Sequence, residues 1–261
     1  MSAKVEEPIS VNVAEVMPVN NSAMPVNNSI DKPRERRWLR KSLKILGITV
    51  LSIFFLYSFA GLIWRFSGSN KWELAGEKNG VKVYTLKMPG SDILQVRGVM
   101  RYRSTLAGAV KLDTTDYTLV EVHAAGIADL GGDDQAKYST FRFNLFRGFL
   151  PREYVTRTQI YQNPITKTVL VETWATPERI PPNPCCFRVT ELHNSQRITP
   201  LGNGEIEWEY TMNQNMGGFF PSLLENRGRV GIMYFWMPLI QKWLQEPKFN
   251  YQAAKFSWIQ E

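Results

Sequence analysis

The chain has 261 residues, a formal charge of +7, an apolar share of 44% and an aromatic share of 12%. That is enough apolar material to fill a core, and it excludes disorder throughout. The two cysteines, adjacent at Cys185 and Cys186, exclude a disulfide-framed scaffold and a cysteine-rich zinc fold, while two histidines, His123 and His193, exclude a centre built on several imidazoles.

The first 30 residues are polar and carry a tandem repeat, Met17-Pro-Val-Asn-Asn-Ser22 and Met24-Pro-Val-Asn-Asn-Ser29. Two short copies cannot build a solenoid, so residues 1–44 are read as a disordered, basic cytoplasmic tail. Its end is a dense block, Lys32-Pro-Arg34-Glu-Arg36-Arg37-Trp-Leu-Arg40-Lys41. Taken alone, the block suits a nucleic-acid arm. Its place directly before an apolar run assigns it to a membrane boundary, and no nucleic-acid partner is expected.

From Ile45 to Trp64 there are 20 residues without a charge. As a helix they span roughly 30 Å, the thickness of a bilayer's hydrocarbon core. The rival is a cleaved signal peptide, since Ser58-Phe59-Ala60 fits the small-x-small pattern. Against it stand the long preceding tail and a run beyond the usual length of roughly 7–15 residues. Seven Lys/Arg fall between Lys32 and Lys44, against Arg65 and Lys71 just after the run. The positive-inside rule then gives a single-pass membrane protein with a cytoplasmic N-terminus and the C-terminal domain on the opposite, extracytoplasmic side.

Residues 65–71 read as a flexible linker, and residues 72–261 as one domain. Strands are predicted at Val81–Leu86 and Ile93–Arg103. A helix over Thr105–Leu112, capped by Ser104, follows. Further strands are predicted at Tyr117–Ala124, Lys137–Leu145, Val155–Tyr161, Thr168–Trp174, Phe187–Leu192, Arg197–Pro200 and Glu205–Asn213. The period then changes. After Gly217-Gly218 and Pro221 comes a helical apolar run to Leu244, with Pro238 inside it as an expected kink. The order implies α+β: an antiparallel sheet with a long final helix on one face.

Several strings resemble the START (steroidogenic acute regulatory protein-related lipid transfer) domain family. They are Gly80-Val-Lys-Val-Tyr84, Phe149-Leu-Pro-Arg-Glu-Tyr-Val155, Phe187-Arg-Val189, Ile198-Thr-Pro200 and Gly217-Gly-Phe-Phe-Pro-Ser-Leu-Leu224, in family order from Trp72 to about Leu244. The resemblance implies the helix-grip fold, a curved antiparallel sheet gripping the C-terminal helix around a lipid-sized cavity. It also implies a domain that binds, and possibly transfers, a lipid or other hydrophobic small molecule; with the apolar run before it the chain is expected to be a membrane-anchored monomer, and no motif in the residues calls for a cofactor or a metal.

Cavity candidates on the final helix are Met233, Trp236 and Ile240, although each would serve equally as plain core. Among strand residues, Arg101, Arg142 and Arg157 are candidates, because an inward arginine must be paired and its planar fork suits a lipid phosphate or hydroxyl. Some sterol-binding members of the family use a cavity arginine at the position that falls on Thr158 here, beside Arg157, and a one-residue shift reverses the face. The proline-rich stretch from Thr176 to Cys186 cannot join the sheet. By the resemblance it lies over the cavity mouth, so that Ile180, Pro181, Pro182 and Phe187 form a gate touching the helix near Met233 or Trp236; a rigid connector is the alternative. Adjacent cysteines rarely bond to each other, so Cys185 and Cys186 are expected to stay reduced and partly buried, with pairing between chains as the alternative for a domain outside the cytoplasm. His123 and His193 each have a carboxylate two residues away, a weak acid/base signal. The rivals to lipid binding are an aromatase/cyclase-like enzyme of the helix-grip superfamily and a non-catalytic sensor or scaffold with a filled cavity.

Overall fold

The apolar run is helical. In the computed structural model, which describes residues 32–114, 124–145, 147–218, 220, 222–247 and 251–261, helix α1 runs over Lys32–Phe66. It starts in the basic block expected in the tail; residues 1–31, with the tandem repeat, lie outside the described residues. Its large apolar side chains, Phe54, Phe55 and Leu56 among them, are exposed all round. A helix apolar on every side is matched to lipid rather than to water. The stretch Arg37–Phe66 is long and apolar enough to cross a membrane. The chain divides into two units, Met1–Phe55 and Leu56–Glu261.

Within the second unit the end of α1 is tied down. A helix terminus leaves carbonyls without partners. Here buried Lys87 donates from Nζ to the carbonyls of Arg65 (3.2 Å), Ser67 (3.1 Å) and Met88 (3.1 Å), and it sits 5.3 Å from the centre of the Trp64 ring. Desolvation lowers the Lys87 pKa, with the Asp92 charge opposing. The Trp64 indole donates to the Asp92 carbonyl at 3.2 Å, and the Gly90 amide donates to Arg65 O at 2.7 Å. The segment expected to be a flexible linker is therefore bonded at both sides.

The rest is an 11-stranded sheet. Its strands are β1 (Trp72–Lys78), β2 (Val81–Leu86), β3 (Gln95–Arg103), β4 (Ala125–Gly132), β5 (Ala136–Phe143), β6 (Arg152–Gln162), β7 (Val169–Ala175), β8 (Phe187–Arg188), β9 (Glu191–Gly202), β10 (Glu205–Met212) and β11 (Gln214–Asn215). The order is β1-β2-β3-β10-β9-β7-β6-β5-β4, with β11 on β9 and β8 on β6. Every pairing is antiparallel except β6–β8. The tight turns fall where the residues allow positive φ: Asn79-Gly80 between β1 and β2, and Gly202-Asn203-Gly204 between β9 and β10. At the two ends of this order, the β1 ladder breaks between Leu74 and Gly76, and the β4 ladder breaks twice. Of the predicted strand Tyr117–Ala124, all but Ala124 lies outside the described residues, and β4 was not predicted at all.

Helices α2 (Leu106–Thr114) and α3 (Ser222–Leu244) cover one face. The cap of α2 is not Ser104, whose hydroxyl donates to Thr105 O. Instead the Glu261 carboxylate accepts from the Leu106 and Ala107 amides at 2.8 and 3.0 Å, and Thr105 Oγ1 accepts from Gly108. A carboxylate suits the positive end of a helix dipole. Strand alternation turns Val96 and Tyr102 inward, while Arg97, Arg101 and Arg103 face out and pair with Glu209, Glu207 and Glu205 of β10. α3 runs through Pro238 to Leu244, burying Met233, Met237, Ile240, Trp243 and Leu244 against the sheet.

Gly98 is the close approach. A Cβ there would lie 2.3 Å from Met237 Sδ and 3.2 Å from Met233 Sδ. Gly98→Val should therefore destabilise the domain by about 1–3 kcal/mol through overpacking, read as a lower urea midpoint. Gly228→Ala, on the open side of α3 with nothing within 4 Å, should raise it by about 0.5–1 kcal/mol.

Candidate functional site

The inner face of the sheet does not carry one continuous core. A large cluster, including Ile160, Val171, Ile198, Trp208 and Met233, lies under α2 and α3. A small one, Tyr154, Val189 and Leu192 with Phe141, Phe143 and Ala175, lies at the other end of the same strands. Between them runs a polar band. Register places Lys137, Thr158, Thr173 and Asn194 opposite one another across β5, β6, β7 and β9, and Gln196 opposite Tyr210 on β10. All of these residues are half-buried. Thr158 and Thr173 share a hydroxyl hydrogen bond at 3.1 Å, and Asn194 Nδ2 donates to the Tyr210 hydroxyl at 3.3 Å. Deeper on β5 and β6, Ser139 and Thr156 bond to each other at 3.1 Å.

Asp113, in the last turn of α2, hangs over this band. Its Oδ1 accepts from Gln196 Nε2, and Gln196 Oε1 accepts from the Trp208 indole at 2.8 Å. Burial pushes the Asp113 carboxyl up to about 6, although the Gln196 bond and the Lys137 charge hold it down. Burial also raises the Tyr210 hydroxyl, helped by the Asp113 charge, and pushes Tyr154 up to about 12, helped by Glu225. Apart from the Lys137 ammonium at its β5 end, which donates to Thr114 O at 2.8 Å, the band is a set of neutral hydrogen-bonding groups with one readily protonated carboxyl. A cleft of about 280 Å³ between α2 and the β4–β5 hairpin shares Lys137, Thr158 and Ile160 with this face. A larger groove, about 630 Å³, lies at the opposite end, between Gly90–Ile93, Thr190–His193 and Asn213–Asn215.

The structure brings only one of the nominated strand residues to this band. Thr158 faces inward; Arg157 faces outward, with Nη2 donating to Gln159 at 3.4 Å. Arg101 is on the outer face, 3.1 Å from Glu207 and mostly exposed. Arg142 is also on the outer face, against Gly126 and 3.5 Å from Cys185 Sγ. Alternation decides this: Arg101 and Arg157 occupy the parity opposite to the buried neighbours Tyr102 and Thr156, and Arg142 the parity opposite to Phe141 and Phe143, which pack on the small inner cluster. Met233 and Ile240 are packed in the large cluster, and Trp236 is partly buried with its ring edge-on to Trp243 at 5.2 Å.

The inward arginines are others. Arg229 pairs with Glu225 at 2.5 Å and donates to the carbonyls of Leu94 (2.8 Å) and Gln214. Arg152 donates to the carbonyls of Leu150, Met216 and Gly217 at 2.6–2.9 Å. Arg152 is committed to backbone carbonyls, whereas Arg229 divides between backbone carbonyls and the Glu225 carboxylate, and its Nε has no partner among the described residues. The Glu225/Arg229 spacing of four on a helix was the sequence signal for the first.

The proline-rich loop is clamped. Arg188 forms a buried pair with Glu153 at 2.8 Å and donates to the carbonyls of Pro177, Ile180 (3.0 Å) and Pro181 (2.9 Å). Ile180 is half-buried, Pro181 and Pro182 are exposed, and Phe187 packs on Gly217, where a Cβ would come within 2.4 Å of its ring. These contacts tie the loop to β6 and β8. The cysteines correct another expectation: Cys185 and Cys186 form a disulfide with each other. A turn that starts at Asn183, which accepts from the amides of both cysteines, holds the two residues. His193 faces outward, stacked on Trp174 and 3.3 Å from Glu172 across the ladder, not from Glu191 on its own strand. His123 lies outside the described residues.

The raised Asp113 pKa has a stability consequence. The folded chain holds this proton where the unfolded chain, near 3.8, has lost it. Wild-type stability should fall as pH rises from about 4 to about 6 and stay lower above that. Asp113→Asn should remove this step, making the variant the more stable by about 2–3 kcal/mol above pH 6 and level with wild type below pH 4, as read from urea midpoints.

No family model matches the sequence. An uncharacterized protein of Pseudomonas aeruginosa is 27% identical over 157 residues, covering 59% of this chain and 77% of its own. Among solved structures, a STAR-related lipid transfer protein fragment from Xanthomonas axonopodis superposes with a TM-score of 0.62 at 20% identity, covering 67% of this chain and 99% of its own. Human STARD10 gives 0.61 at 13% identity, covering 76% and 81%. Human StAR-related lipid transfer protein 5 gives 0.54 at 19%, covering 73% and 96%. The chain has the START fold: an antiparallel curved sheet closed by a C-terminal helix, with one long apolar helix before it.

Proposed function

We propose that the domain binds one lipid or other hydrophobic small molecule between the inner sheet face and its helices, and that α1 anchors the chain in a membrane. The observation that carries this reading is the broken core, two apolar clusters on one sheet face with half-buried Thr158, Thr173, Asn194, Gln196 and Tyr210 between them. A core made only to pack would close over such a band, since half-desolvated amides and hydroxyls are costly without partners. A ligand with a long apolar body and one polar end fits the pattern: apolar area against the clusters and hydrogen bonds to the band. Its affinity would come mainly from apolar area, at about 25 cal/mol per Å² less the ordering cost. The similarly folded solved proteins include named lipid transfer proteins, which supports the same ligand class.

In this reading the protein acts as a monomer, by binding rather than chemistry, and Thr158 stays in the site while Arg101, Arg142 and Arg157 leave it. Met233 would meet the ligand from the helix side. The anchor would hold the domain beside its lipid source and shorten the search. The basic block before Ile45 supports a cytoplasmic N-terminus with the domain on the far side.

Full-length chain purified in mild detergent should carry bound lipid by mass spectrometry. Thr173→Trp, which fills the centre of the band, should lose the lipid and keep its melting transition. Equal lipid on both proteins, or none on either, would sink the binding reading. For orientation, a reporter active only outside the cytoplasm, fused after Glu261, should be active; a silent one beside an active cytoplasmic reporter reverses the topology.

A further inference from the structure

The disulfide adds little to the stability of the fold. Cys185 and Cys186 are neighbours in sequence. A disulfide stabilises mainly by restricting the unfolded chain, and its effect grows with the number of residues it encloses. This one encloses none. The loop around it is held by other groups. Arg188 donates to the carbonyls of Pro177, Ile180 and Pro181, the Arg179 guanidinium lies 4.3 Å from the centre of the Tyr138 ring, and the Phe187 amide donates to Pro151 O at 2.8 Å. None of these contacts uses sulfur, so the bond can open with the loop in place.

The surroundings favour the opened form. Arg142 reaches Cys185 from β5, its Nη1 donating to Sγ at 3.5 Å. The guanidinium lies against β4 at Gly126, where a Cβ would come within 2.4 Å of Nη2. Glu153, opposite Arg142 on β6, is spent on Arg188 at 2.8 Å. Among the described residues Arg142 makes no ion pair, so a half-buried positive charge is turned on a sulfur instead of a carboxylate. A cation beside a sulfur favours its thiolate. Cys185 is exposed and Cys186 half-buried, so a reagent can approach the bond.

We propose that Cys185–Cys186 is a thiol–disulfide exchange site, opened by a dithiol and closed by a disulfide, with Arg142 holding the thiolate of Cys185. A thiolate of the dithiol attacks Cys186 Sγ, and the electron pair of the S–S bond leaves on Cys185 Sγ, against Arg142. The second thiolate of the reductant then attacks the mixed disulfide on Cys186. That closes the reductant into its own disulfide and releases Cys186 as a thiolate, which takes up a proton. Two electrons pass from the dithiol to the cysteine pair, and the reverse sequence closes it. Disulfides persist in oxidising compartments, so on the extracytoplasmic side proposed above the closed form is the resting one. The site is on the outer face of the sheet, away from the polar band, and does not rest on the lipid reading.

The test uses the full-length chain in mild detergent, equilibrated with dithiothreitol, trapped with N-ethylmaleimide and weighed. Wild type should take no label before reduction and two after it, with its melting transition unchanged, and oxidised dithiothreitol should close the pair again. A chain that takes two labels before reduction, one that stays closed until it unfolds, or one whose melting transition drops on reduction overturns the proposal. Arg142 is read in a Cys186→Ser background. There iodoacetamide should alkylate Cys185 about threefold faster at pH 7 than in the same chain with Arg142→Gln. Arg142→Lys should keep most of that advantage, and it should be lost above pH 10, where both sulfurs are thiolates. Equal rates at pH 7 with and without Arg142→Gln would overturn the role of Arg142 and the direction of attack with it.

Discussion

The domain depends on how α3 is held at its first two turns. Glu225, Asn226 and Arg229 are all buried there, and all are hydrogen-bonded, although Arg229 Nε has no partner among the described residues. Glu225 takes Arg229 and the Met216 amide, Asn226 takes the Leu94 amide and the Asp92 carbonyl, and Arg229 adds the carbonyls of Leu94 and Gln214. Buried charges in such number are tolerable only when paired and hydrogen-bonded. Because the partners are backbone groups of the β2–β3 connection and of β11, the network fixes the helix to two separate stretches of chain. Everything downstream follows from that position: Met233 and Met237 over Gly98, and the Tyr102 hydroxyl on the carbonyl of Met237 at 2.8 Å.

Clamping the helix by polar groups at one end and apolar packing at the other leaves the middle of the sheet to do something else. The band from Thr158 to Tyr210 is neither core nor surface. Its residues answer one another across strands, yet keep hydrogen-bonding capacity to spare, as Tyr210 does when its oxygen accepts from Asn194. Charge is largely kept out of the band. The inward arginines are consumed by backbone carbonyls elsewhere, and Asp113 is the carboxyl that reaches in, softened by burial. Such a surface offers hydrogen-bonding groups in fixed positions rather than net charge.

Much of this was legible in the residues. The uncharged run, the Gly202-Asn-Gly204 turn and the change of period after Gly218 gave α1, the β9–β10 hairpin and α3. The chain was opaque where parity or long-range partners decide. Arg157 and Thr158 are neighbours, and only the register tells which of them faces in. Strand β4, Ala-Gly-Ile-Ala-Asp-Leu-Gly-Gly over residues 125–132, has no alternation to detect; pairing with β5 makes it a strand. The capping of α2 by Glu261 and the clamping of the loop by Arg188 join residues far apart in sequence or hidden among prolines. No local pattern announces them.

The irregular edges have a consequence for life at a crowded surface. A sheet that does not close on itself ends in unpaired backbone groups, and those ends invite a neighbour's strand to zip on. Among the described residues the two ends are β1 and β4. Each breaks step, β1 at Leu74/Gly76 and β4 at both Ala125/Ala128 and Asp129/Gly132. The glycines there take positive φ at Gly76, Gly126, Gly131 and Gly132, so neither edge offers a straight row of donors and acceptors. On the proposed reading of α1 as a membrane anchor, many copies confined to two dimensions, at concentrations that would drive edge-to-edge polymerisation of a flat sheet, can remain separate molecules.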